Sequence, residues 1–263
     1  MSDLRFYLGT HRPTWLWQIH DVPLFISHRV LRDRKSRFPR ATTPWALDSG
    51  GFTELNLFGG WRTTPEEYVA SVRRYVDELG SLEWASPQDW MCEPWVIAKT
   101  GLSVAEHQAR TVENYLTLRD LAPDLPFIPV LQGWEMADYH AHADAYAAAG
   151  VDLTEQPVVG IGSVCRRQAT GQIAGIFDSL YQRGLKMHGF GVKSAGLSLY
   201  ADALTSADSL AWSYGARQDA RAGIRHCAKN TCANCLHYAL AWRRRVLATL
   251  ETRQLSLLAG GAA

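Results

Sequence analysis

Leu47-Asp48-Ser49-Gly50-Gly51-Phe52 is the stretch on which the fold turns. The apolar run at 45–47 reads as the end of a buried strand, which delivers a carboxylate, a hydroxyl and two glycines in succession. Paired glycines let the backbone turn sharply and approach a ligand closely. An Asx turn leaving a strand shares this wording. A carboxylate at a strand end beside a glycine turn is also where α/β enzymes keep their chemistry. A second strand end of the same kind, at Asp208, weighs for the latter reading.

Apolar runs separated by turn signals recur on both sides of this stretch. They predict strands at 4–8, 23–26, 45–47, 82–85, 127–131, 158–161, 187–191 and 207–211. Helices fall between most of them. Thr64-Pro65-Glu66-Glu67 opens one that stops at Gly80, and Ser103 with Glu106 forms a capping box opening another to about Leu121. Further helices are expected at 135–149, 168–183, 194–204 and 234–255, while 12–18 and 27–40 are poor helix candidates. The pattern predicts a (β/α)8 TIM-like barrel over 1–220, a zinc-binding loop and C-terminal helix over 221–256, and a frayed tail at 257–263.

Function in such barrels gathers on the loops after the strand C-termini. Those ends carry Thr10, His28, Asp48, Asp89, Gln132, Gly162-Ser163, Lys193 and Asp208, and few of them are apolar. The 263 residues suffice for a sizeable core, and a net charge of +1 excludes a uniformly basic surface. Any nucleic-acid partner is therefore met by a local patch. The charged start and the lack of an apolar run near 20 residues predict no signal peptide, no membrane span and a cytoplasmic protein.

Taken in order, several segments resemble a known superfamily. Residues 47–52, Asp89-Trp90-Met91-Cys92-Glu93-Pro94, Pro129-Val130-Leu131-Gln132-Gly133, Val159-Gly160-Ile161-Gly162-Ser163 and Ala207-Asp208-Ser209 follow the motif order of tRNA-guanine transglycosylases. The wording Asp208-Ser209-Leu210-Ala211-Trp212-Ser213 and Cys232-Ala233-Asn234-Cys235 is most similar to the deazapurine DNA modification proteins of the DpdA family. The resemblance spans about residues 5 to 245. It implies that guanine in DNA, in a bacterial or phage-infected cell, is exchanged for a 7-deazaguanine such as 7-cyano-7-deazaguanine. It further implies Asp208 as nucleophile and Asp48 as acid/base.

A purine needs its amide edge read by polar groups and its faces covered. Asp89, Gln132 and Gly162-Ser163 are candidates for the edge, Phe52 and Phe190 for the faces, with Ser49 and Gly50 in the turn. The spacing at 89–93 leaves Asp89 and Glu93 as alternatives, and Cys92 reads as packing. The tRNA enzymes' proline-threonine-arginine-asparagine run is missing after Asp208, which favours DNA over tRNA. A barrel that binds a base or nucleic acid without catalysis is the rival of a different class.

Cys227, Cys232 and Cys235 have knuckle spacing, and a histidine would complete a tetrahedral structural Zn2+ site. His237 is expected over His226, because a residue adjacent to Cys227 reaches the same metal poorly. Arg29, Arg32, Arg34, Lys35 and Arg37 follow strand two and are expected to meet phosphates, with Arg217, Arg221, Arg225 and 243–245 extending the patch. Trp61, Trp90, Trp134 and Trp212 are expected to stack on splayed bases. A homodimer is compatible with the sequence.

Overall fold

Period-two alternation builds the architecture. A computed structural model describes residues 4–165, 167, 171–192, 194–228 and 231–260, with backbone alone at 194–195 and 253–260. Eight strands lie in chain order: β1 (Arg5–Thr10), β2 (Leu24–Ser27), β3 (Trp45–Asp48), β4 (Leu82–Ala85), β5 (Val130–Leu131), β6 (Val159–Ile161), β7 (Met187–Gly189) and β8 (Ser206–Ser209). They form one curled sheet in the order β4-β3-β2-β1-β8-β7-β6-β5, parallel throughout. A parallel bridge between Ala85 and Phe127 joins its two edges. There the Ala85 N–H donates to Pro126 O at 2.9 Å and the Ile128 N–H to Ala85 O at 3.1 Å. The sheet is thus a TIM-like barrel with one thin seam.

The helices are α1 (His28–Leu31), α2 (Gly51–Phe58), α3 (Pro65–Glu78), α4 (Pro94–Thr100), α5 (Val104–Leu121), α6 (Met136–Ala148), α7 (Gly171–Tyr181), α8 (Ser194–Tyr200), α9 (Ala211–Arg221) and α10 (Leu236–Gly260). The capping boxes at Thr64/Glu67 and Ser103/Glu106 form as expected. After β1 and β2 the chain manages only a 3-10 turn at Pro13–Trp17 and the single turn of α1. The outside of β1 is covered instead by α10, where Trp242 packs on Phe6 and Arg243 Nη2 donates to Phe6 O at 3.0 Å. Among the described residues no helix is long and apolar enough to cross a membrane.

Alternation sorts the core into two layers. Phe6, Leu8, Leu24, Ile26, Trp45, Leu47, Met187 and Ala207 point outward into the layer under the helices. Tyr7, Ala46, Trp84, Ile128 and Val158 point into the barrel, with Phe25 and Phe190 against them. Continuing that alternation, the residues two past Ala46 and two past Ser206 face inward at the rim. These are Asp48 and Asp208.

Several boundaries differ from expectation. β5 shrinks because Pro129 has no N–H to give a ladder. β8 ends at Ser209, since Leu210 leaves the extended region (φ −108, ψ 10) and starts α9. The short helices α2 and α4 went unforeseen: one starts on a glycine turn and the other is only seven residues long. α10 continues to Gly260, so residues 257–260 of the expected frayed tail are helical. Leu255, Leu257, Leu258 and Ala259 are good helix formers with no proline among them. Residues 168–170, Lys193 and 261–263 lie outside the described residues.

Candidate active site

Strand register brings the two carboxylates to one place. Tyr7 pairs with Asp208 and Ser27 with Asp48, and β1 and β2 lie between β8 and β3. Both aspartates line a cavity of about 390 Å3 at the C-terminal rim. Asp48 accepts hydrogen bonds from the Ser27 hydroxyl and the Gly50 N–H. Burial nonetheless pushes its carboxyl above the ordinary range, and the charge of Asp208 pushes it further. Asp208 Oδ1 accepts from the Gly191 N–H at 2.8 Å and from His188 Nε2 at 3.4 Å. The turn behind Asp48 requires glycine: Gly50 has φ 91, and a Cβ there would lie 2.7 Å from the Arg29 side chain.

The opposite wall is a hydrogen-bonded chain of four side chains. Gln132 Nε2 donates to Asp89 Oδ2, while its Oε1 accepts from the Ser163 hydroxyl at 2.7 Å. Ser163 Oγ also lies 2.9 Å from Glu93 Oε2 and accepts the Cys92 N–H at 2.9 Å. Asp89 Oδ1 is 3.3 Å from Ser49 Oγ. Burial pushes the Asp89 carboxyl up to about 7, with the charge of Asp48 adding to it. Gln132 is held from behind, its N–H donating to His142 Nδ1 at 2.8 Å and its carbonyl accepting from Gln108 Nε2 at 2.8 Å. Ser163 sits at φ 55, a conformation few non-glycine residues adopt; such backbone is retained where the surroundings fix it.

The predicted residues therefore gather. Asp48, Asp89, Glu93, Gln132, Gly162, Ser163, Phe52, Phe190 and Asp208 all line the one cavity, and both Asp89 and Glu93 reach it. Phe52 is 44% exposed at its mouth. Ser49 and Gly50 stand behind, Ser49 N–H donating to Ser86 Oγ at 2.8 Å. Cys92 is buried packing, its thiol pushed far up by burial.

Three supporting residues were missed. His188 is fully buried among Tyr7, Phe25, Trp84 and Phe190. Burial lowers its pKa, so the ring is neutral, and a proton on Nε2 serves Asp208 while Nδ1 accepts from Ser206 Oγ at 2.9 Å. Ser27 supports Asp48, and Gly160 makes room for Phe190, whose ring a Cβ there would meet at 2.5 Å. The signal for His188 was its place two residues before Phe190, on the same inward face.

The expected phosphate patch divides. Arg29 and Arg32 both pair with Glu54, which is 2% exposed, and Arg62 lies 3.8 Å from its other oxygen. A buried carboxylate needs such partners, so these arginines hold the fold as well as facing solvent. Arg34 lies over Trp17 and Phe38, whereas Lys35 and Arg37 are exposed. Of the tryptophans, Trp212 is core: 1% exposed, stacked on Trp15 and donating to Gly9 O at 2.8 Å. Trp90 and Trp134 carry Arg110 and Arg167 over their rings. Arg243 is committed to the Phe6 carbonyl.

Near the C-terminus the Sγ atoms of Cys227, Cys232 and Cys235 lie within 4.8 Å of one another, a group that could hold a metal ion. Crowding by Cys227 and burial push the Cys232 thiol up to about 11, so ionising all three thiols calls for a cation among them. Neither expected histidine joins the group. His226 Nε2 is 2.8 Å from Asp219 Oδ2, and His237 is exposed on the first turn of α10. The helix begins at Leu236, one residue past the last of the three cysteines, so His237 is already on its first turn.

A search of curated proteins finds no match to the chain. A family model described as DeoxyPurine in DNA protein A matches residues 2–262, nearly its whole length. That match, with the barrel and the rim residues in place, shows that the chain belongs to the DpdA family, whose role lies in deazapurine modification of DNA.

Proposed function

We propose that the chain exchanges guanine in DNA for a 7-deazaguanine through a covalent bond between Asp208 and the sugar. The observation that carries this reading is one cavity with two carboxylates on one side and the Asp89–Gln132–Ser163–Glu93 chain on the other. The polar chain suits the amide edge of a flipped-out purine: acceptors at Asp89 for its N–H and amine, donors near Gln132 and Ser163 for its carbonyl. Phe52 and Phe190 cover its faces.

Asp208 attacks C1′ as the bond to guanine N9 breaks, and the leaving electron pair stays on the base. Asp48, whose carboxyl is pushed above the ordinary range by burial, gives that nitrogen a proton. The entering 7-deazaguanine returns its N9 proton to Asp48 and displaces the Asp208 carboxylate from C1′. Two inversions restore the original configuration. His188 and the Gly191 N–H orient the nucleophile throughout.

The test is to incubate duplex DNA, and separately tRNA, with labelled 7-deazaguanine and active protein, then digest and weigh the nucleosides. Label in DNA supports the reading. Label in tRNA alone moves the substrate, and abasic sites without label mean hydrolysis.

Gly162→Ala is expected to cut exchange by about ten- to a hundredfold. Its Cβ would stand 2.2 Å from Gln132 Nε2, and Gln132 is pinned at both ends. Unchanged single-turnover rates would show that Gln132 does not read the base.

We assign the three thiols to a structural Zn2+, which joins the loop after α9 to the start of α10. Removing it with a strong chelator is expected to release about one zinc per chain and lower the melting temperature by several degrees. Metal analysis and a thermal melt check this; an unchanged melt would mean the loop holds by hydrogen bonds such as Ser213 Oγ to Ala233 O.

A further inference from the structure

A cavity of about 530 Å3 lies on the outer flank of the rim, between the start of α3 and the outer side of α5. One layer of chain separates it from the base pocket, which Gly51 and Asp89 line. A Cβ on Gly51 would lie 3.1 Å from the Trp61 ring and 3.3 Å from the Asp89 carbonyl oxygen. Trp61 lines the outer cavity, and so do Gln88 and Trp90, the chain neighbours of Asp89. The same short loop after β4 thus serves both cavities.

Its walls are aromatic and cationic. Trp61 and Trp90 are half-buried and rest on the apolar cluster of Leu55, Met91 and Val96. The Arg110 guanidinium stands 4.6 Å from the Trp90 ring centre, and the Arg62 side chain is 59% exposed at the cavity's edge. An amide pair forms the floor: Gln88 Nε2 donates to Thr63 O at 2.7 Å, and Asn114 Nδ2 to Gln88 Oε1 at 3.1 Å. Each amide nitrogen carries two hydrogens and uses one in these bonds, which leaves a donor for a carbonyl. Among the described lining residues Glu113 brings the one carboxylate, an acceptor for an amine. Rings, guanidiniums and amide donors around a slot of this size are the set that holds an unstacked nucleobase. Taking guanine out of a duplex creates such bases beside the base pocket, since its partner loses its pair and its neighbours lose a stacking surface.

We propose that the outer cavity seats a second, unstacked nucleobase of the same DNA, laid against Trp61 and Trp90 beside Arg110. The inference rests on the reading that a guanine of duplex DNA enters the base pocket.

The test uses a short duplex with one guanine–cytosine pair and three relatives of it. Each relative carries a tetrahydrofuran abasic residue in place of the 5′ neighbour of the guanine, its 3′ neighbour or the cytosine opposite. Arg110→Ala, at an exposed position, and Thr117→Trp, which fills the cavity from α5, should each weaken binding of the intact duplex about tenfold. On the relative that lacks the seated base the same variants should cost less than about twofold, and that relative identifies which base is seated. Thermal melts establish that each variant folds, and the second decides the matter if the first does not. Wild-type affinity for the intact duplex in a folded variant, or a loss that persists on all three relatives, overturns the assignment. Free 7-deazaguanine should bind both variants as it binds the wild type. A wild type that holds no free base would instead remove the base-exchange reading, while the duplex series still judges the outer cavity.

Discussion

Asp208→Asn is expected to abolish base exchange, by about a thousandfold or more, and to yield no trapped protein–DNA adduct. The amide oxygen can still accept from the Gly191 N–H and from His188, so the loop after β7 keeps its anchor. What is lost is the negative charge that meets the developing oxocarbenium ion and the lone pair that captures it. Intact-mass analysis of quenched reactions reads the adduct, and a thermal melt verifies the fold. Residual exchange near the wild-type rate would remove the covalent mechanism while leaving the barrel and its cavity as described.

Asp89→Asn is expected to weaken base binding about a hundredfold and, at the same time, to stabilise the empty protein at high pH. The native pKa of Asp89 is raised from 3.8 to about 7 by burial and then by Asp48. A carboxyl raised in this way contributes stability that is fully present below the unfolded value. That contribution is lost as pH climbs through the native value. Wild-type stability should therefore fall between about pH 4 and pH 7, by on the order of 2–4 kcal/mol from this group. Asparagine can meet the same neighbours, accepting from Gln132 and donating to Ser49 Oγ, without ever ionising. Melts from pH 4 to pH 8 should show the slope in the wild type and a flatter line in the variant. Base binding to the wild type should strengthen as pH rises through about 7, because only the ionised Asp89 accepts from both donors of the purine edge. A pH-independent affinity would exclude Asp89 from that role and leave Glu93 to take it.

The sequence alone determined the barrel and the rim position of its polar residues. Strand alternation is local, so two residues past Ala46 must face the same way as Ala46, and the glycines after Asp48 announce a turn without any knowledge of neighbours. The motif order at 47–52, 89–94, 129–133, 159–163 and 207–209 likewise needed no coordinates, and the family match over 2–262 agrees with it. Only the tertiary structure could decide which distant side chains share a hydrogen bond. That Gln132 bridges Asp89 to Ser163, that His188 stands under Asp208, and that Glu54 collects Arg29, Arg32 and Arg62 depend on register between strands and helices far apart in the chain. The same holds for Trp212, whose ring lies against Trp15 nearly two hundred residues away, and for His237, which stands outside the group of thiols. Local pattern fixes which face a residue is on; the meeting of two faces is set by packing, and packing is a property of the whole chain.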